Sequence, residues 1–97
     1  MVGESSGVPA TFQAALRRWP GESGWVFAMV PDQHAPDHAG AFGRVPVVAA
    51  VDGRSWPTSV WCDRTHGWLL AVPARIRRGK DVGDIVTVVM QLDHGRV

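Results

Sequence analysis

Cys62, Asp63 and His66 stand close enough along the chain to supply a nucleophile, an orienting carboxylate and a base. A thiol ionises near neutral pH only beside a proton acceptor or a positive charge, and His66 would have to provide that. All three fall in one strand-end turn with no identified oxyanion donors, so an ordinary turn is expected and no catalytic residue is assigned. His34 and His38 flank Asp37 at a spacing that puts two imidazoles on one helical face for a metal. Pro36 interrupts such a helix, and only His66 or His94, from distant segments, could complete the ligand set. Neither a metal nor another cofactor is expected.

A different chemistry belongs to Arg75, Arg77, Arg78 and Lys80, with Arg17 and Arg18 joining them if the first strand runs nearby. Clustered cations bind nucleic acid by displacing its counterions, without reading sequence. Asp81 and Asp84 follow directly and the whole chain carries a net charge of only +1, so nucleic acid is a possible partner but not the favoured one. Trp56, Trp61 and Trp68 gather on adjacent strands. Indoles bury much area and seek partners for their N–H groups, which suits a core, a dimer interface or a binding cleft. For a ligand pocket the expected set is Arg44, Trp56, Thr58, Ser59, Trp61 and Trp68.

These groups must be held by a small scaffold. Ninety-seven residues suit one domain, and leave no room for a separate cofactor-binding half. A hydrophobic share of 45% with five Trp supplies a core, and a charged share of 20% is too low for a disordered chain. The single Cys62 has no partner for an internal disulfide. Apolar runs such as VPVVAAV are far shorter than the roughly 20 residues that span a bilayer, so no membrane association and a cytoplasmic location are expected. Residues 1–9, with their Gly, Ser and Pro, read as a flexible leader, 10–94 as one domain and 95–97 as a tail.

Alternation of large and polar residues marks strands in TFQAALRR and GWVFAMV, with Trp25, Phe27 and Met29 sharing a face. PDQHAPDHAGAF reads as a loop with a short helical stretch. RVPVVAAV and RSWPTSVW flank Asp52-Gly53, a two-residue hairpin signal, because a type I′ turn needs positive φ at both central residues. GWLLAVP is a further strand, and PARIRRG a helix of about two turns ended at Gly79. DIVTVVMQLD is the last strand. Six antiparallel strands with one or two short helices argue for a mainly β, six-stranded barrel. The faces bearing Val48, Ala50, Val86, Val88, Met90 and Leu92 are too apolar for a wet exterior, which predicts cover by a helix or by a second copy in a homodimer.

The order FxAAL, GWVFAMVP, GRVPVVAAVDGRSWPTS, GWLLAVPARIRRG and VGDIVTVVMQLD, from Phe12 to Asp93, resembles a small bacterial family, domain-of-unknown-function family 1905. The resemblance implies a double-split β-barrel related to AbrB-like regulators and MazE-like antitoxins, and it carries no activity over, because none is established for the family. The basic run RIRRGK, Cys62, Trp61 and Trp68 depart from the family pattern. The functional expectation is a small non-enzymatic binding or assembly module with an unidentified protein or small-molecule partner. The alternatives are a nucleic-acid-binding regulator using residues 75–80, and a small enzyme or ligand-binding barrel around Cys62, His66 and the Trp cluster.

Overall fold

The computed structural model describes residues 9–22, 24–36 and 43–93. The expected leader and tail, Pro9 apart, lie outside these residues, as do Asp37, His38 and His94. Seven antiparallel strands form one sheet: β1 Ala10–Ala15, β2 Arg17–Arg18, β3 Val26–Met29, β4 Arg44–Val51, β5 Arg54–Asp63, β6 Gly67–Ala71 and β7 Ile85–Leu92. Their order across the sheet is β1-β7-β4-β5-β6-β3-β2. A 3-10 turn at Asp32–His34 and a helix α1 at Ala74–Arg77 complete the described elements.

The two ends of that order, β1 and β2, are neighbours in the chain, and this closes the barrel. β1 pairs with β7, from Ala10 opposite Met90 to Ala15 opposite Ile85. β2 pairs with β3 at the other edge, Arg17 opposite Phe27. Leu16 is the corner between them, 1% exposed. Its N–H donates to the Asp84 carbonyl at 2.9 Å, and its own carbonyl accepts from the Gly83 N–H at 2.8 Å. The strand count therefore exceeds the expected six, because one run of alternating residues changes partner midway. The result is a nearly closed barrel with its core inside.

Alternation determines which side chains enter that core. Phe12, Leu16, Val26, Ala28, Val30, Val47, Ala49, Val51, Trp56, Val60, Leu70, Val86, Val88 and Met90 point inward. This corrects one expectation: Val86, Val88 and Met90 line the interior, with Leu92 packed against it, and so need no external cover. The outer side of β7 presents Ile85, Thr87, Val89 and Gln91 instead. Val48 does face outward, 43% exposed, between Pro57 and Gln91 on the neighbouring strands. Trp25, Phe27 and Met29 share the outer side of the barrel, since Val26, Ala28 and Val30 take the inner one.

Local chemistry sets the turns. Asp52 and Gly53 have φ of 48° and 88°, the positive pair a two-residue hairpin requires. Asp52 also fastens β7, its Oδ1 accepting from the Thr87 N–H at 2.9 Å. α1 is one turn rather than two. Arg78 adopts the left-handed conformation that stops it, ahead of Gly79. Ile76 alone of the helix is buried, inserted in the barrel core.

Candidate functional site

Strand β5 is shared unequally between its two neighbours. It pairs with β4 from Arg54 to Trp61, but with β6 only from Val60 to Asp63. Beyond that, β6 bends away at Ala71 to Pro73 and α1 takes its place. The first half of β5 is thus an edge inside a barrel, which is where a strand tolerates proline, and Pro57 sits there.

A cleft of about 400 Å³ occupies the gap. Trp25, Val26, Trp56, Thr58, Pro73 and Arg77 are among the residues lining it. A second hollow of about 320 Å³, formed by Arg44, Thr58, Ser59 and Trp61, adjoins it through Thr58. A further hollow of about 490 Å³ lies between β1 and β3, against Gln13, Arg17, Met29 and Asp32. It is larger, but it has no aromatic wall among the described residues, and Arg17 spends a guanidinium N–H on Met29 Sδ at 3.2 Å. Aromatic lining with a few convergent polar groups makes the β5 cleft the candidate site.

The rim of that cleft continues into a row of aromatic rings on the outer face. Trp25 and Trp61 lie 4.7 Å apart between centroids. Trp19 packs at 5.2 Å on Trp25, 5.6 Å on Phe27 and 5.1 Å on His66. The Arg44 guanidinium sits 6.0 Å from the Trp61 ring, within cation–π range. Phe27 is 2% exposed beneath this row although it lies outside the inner core cluster. The rings above it, Trp19, Trp25 and Trp61, are only half-buried.

The structure therefore divides the expected set between two adjoining hollows, Trp56 and Thr58 lining the cleft and Arg44, Ser59 and Trp61 lining the second with Thr58. Trp68 is not among them: it points to the inner side and packs against the core. Sequence reasoning missed Trp19, Trp25 and the place of Arg77 in the cleft wall. The first two carry a readable signal, because they flank the Pro20-Gly21 turn, and the Trp19 N–H indeed donates to the Trp25 carbonyl at 2.7 Å.

The basic cluster is divided. Arg77 is half-buried and its Nη1 donates to the Val72 carbonyl at 2.8 Å. Lys80 Nζ reaches the Ile85 carbonyl at 3.2 Å and Asp52 at 3.6 Å. Arg75 and Arg78 remain exposed. His34 stacks on Phe12 at 5.7 Å; its proposed metal partner His38 lies outside the described residues. Among the described residues no group of three His, Cys, Asp or Glu side chains comes together.

Cys62 and His66 are not paired. Cys62 is exposed and occupies the alternate side of β5 from Asp63. Asp63 instead holds the turn that follows, its Oδ2 accepting from the Thr65 N–H at 3.0 Å, the His66 N–H at 2.9 Å and His66 Nδ1 at 2.8 Å. A carboxylate only accepts, so Nδ1 carries the proton. The His66 ring, then its backbone N–H, hold the Asp63 carboxyl below its ordinary value; partial burial opposes them, and the Thr65 N–H and the His66 charge add to the lowering. A depressed folded pKa contributes order that is fully present above the unfolded value of about 3.9 and lost as pH falls through the folded one. Exchange protection of the Thr65 and His66 amides should accordingly collapse only below that range. Asp63→Asn should weaken protection and remove its pH dependence; unchanged protection in the variant would refute the assignment.

Residues 12–90 match a family described as Domain of unknown function (DUF1905). No curated protein matches the sequence. Among the described residues no helix is long and apolar enough to cross a membrane.

Proposed function

The chain belongs to the family Domain of unknown function (DUF1905), and because that description names no activity we propose, from the geometry, that it is a non-enzymatic binding module. Its ligand seats along the uncovered edge of β5. The observation that carries this reading is the cleft between β5 and α1, with Trp25 and Trp56 in its lining. A site of this kind holds a small molecule by apolar contact and fixes it with few polar groups. A nucleic-acid role draws less support, since Lys80 is engaged by Asp52 and the Ile85 carbonyl and Arg77 is half-buried in the cleft wall rather than presented on the surface with Arg75 and Arg78.

The test is a fragment set of anionic, neutral and cationic ring compounds added to the full chain, read by amide and indole N–H chemical shifts. Hits are expected to move the Trp25 and Trp56 indoles together with Thr58. No compound moving them would overturn the reading. So would a single-stranded DNA whose shifts fall on Arg75 and Arg78 and fade with added salt, the behaviour of phosphate contacts.

The proposal includes a homodimer in the cytoplasm. Val48 is 43% exposed, and Ala50, Pro57 and Val89 adjoin it on the outer face. Val48→Glu should lower the mass seen by light scattering from two chains to one. A parent protein of one-chain mass at high concentration would remove the dimer from the proposal.

A further inference from the structure

The cleft beside β5 contains a cation for which the described residues provide no counter-ion, and we propose that it takes a small organic carboxylate with a flat apolar body, the carboxylate meeting Arg77. This rests on the reading of the cleft as the binding site and names its ligand class.

Arg77 lines the cleft wall and is half-buried. One donor, Nη1, is spent on the Val72 carbonyl at 2.8 Å, which anchors the guanidinium plane to the start of α1. Nε is shut off from solvent and has no hydrogen-bond partner among the described residues. The ion pairs among those residues are His66 with Asp63 and Lys80 with Asp52, and neither involves Arg77. A guanidinium cannot shed its proton to escape burial. A half-buried, unneutralised cation is therefore a standing cost that a bound anion would offset.

The remaining lining determines the rest of the ligand. Trp25, Val26, Trp56, Val72 and Pro73 are apolar and two of them are indoles, which favour flat rings in offset or edge contact. Among the described residues no second cation lines the cleft. One guanidinium neutralises one charge, so a carboxylate fits better than a dianionic phosphate, and its two oxygens match the fork of an arginine. The volume of about 400 Å³ lies toward the small end for ligand sites.

The experiment compares 2-naphthoate with its neutral isostere 2-naphthamide on the full chain, by calorimetry and by the Trp25 and Trp56 indole shifts. Naphthoate should bind at least about tenfold more tightly, the usual worth of a hydrogen bond to a charged group. Arg77→Met should erase the difference, and Arg77→Lys should keep part of it, since charge survives but the fork does not. Equal affinity with both ligands moving the indoles would overturn the carboxylate assignment and leave the binding site standing. Neither ligand moving them would overturn the assignment as well; if the wider fragment set also failed there, the binding reading would fall with it. Because the comparison is made first on the parent protein, a variant that does not fold leaves the proposal open to refutation.

Discussion

Replacing Leu16 by alanine is expected to cost about 2–5 kcal/mol of folding stability, the range for removing a buried leucine that its surroundings cannot collapse around. The size follows from position. Leu16 is 1% exposed and packs in the core, at the one residue where the chain leaves β7 and turns to β3. Its backbone is held on both sides by Asp84 and Gly83, so the main chain cannot move inward to fill the space. For a domain whose whole stability is typically about 5–15 kcal/mol, this is a large share. Urea unfolding should show the midpoint falling with the slope unchanged. A loss under about 1 kcal/mol would mean that the corner is not what seals the barrel.

The second large effect separates two tryptophans only five positions apart. Trp56→Ala should cost about 3–5 kcal/mol, because Trp56 is 6% exposed and belongs to the core. Trp61→Ala should cost about 1 kcal/mol, the scale of one aromatic pair: the ring is half-buried on the outer face and its close aromatic neighbour is Trp25 at 4.7 Å. The two variants should diverge in the opposite sense for ligand contact on the rim, where Trp61 and Arg44 line their own hollow. Equal losses of stability would place both indoles in one core and abolish the distinction between wall and platform.

Much of the barrel is legible from residue order. The hairpin at Asp52-Gly53 follows from the steric rarity of two successive positive φ values, and those values occur. Strand limits follow from alternation, since side chains on a pleated strand change side at every residue. What alternation does not encode is which side faces in when both are apolar. In β7 the set Val86, Val88 and Met90 competes with Ile85 and Val89, and only the assembled sheet chooses between them. Nor does it encode a change of partner. Phe12, Ala14 and Leu16 keep their rhythm straight through the corner, so nothing local announces that the strand has moved from one neighbour to another.

The candidate site is legible in part for a similar reason. Arg44, Ser59 and Trp61 share a strand pair, and strand-pair neighbours can be read from the hairpin register. Trp68 is misplaced by sequence because its distance along the chain says nothing of its side, which is inward like Leu70. Arg77 reads as a surface cation because a short basic helix usually carries one. Its burial depends on β6 giving way to α1 beside β5, a tertiary event. Pro57 is the available clue, for a ring without an N–H belongs where a strand has a neighbour on one side only.

Joining the first strand to the last also dictates a sequence of events in time. β1 has no pairing partner until β7 has been made, so during synthesis the early segment waits while everything between is produced. Long-range pairings of this sort fold slowly, since the loop must close before any contact rewards it. The interval leaves an uncovered, apolar ribbon open to wrong partners, so sealing the ring between β1 and β7 is expected to be a late event in folding.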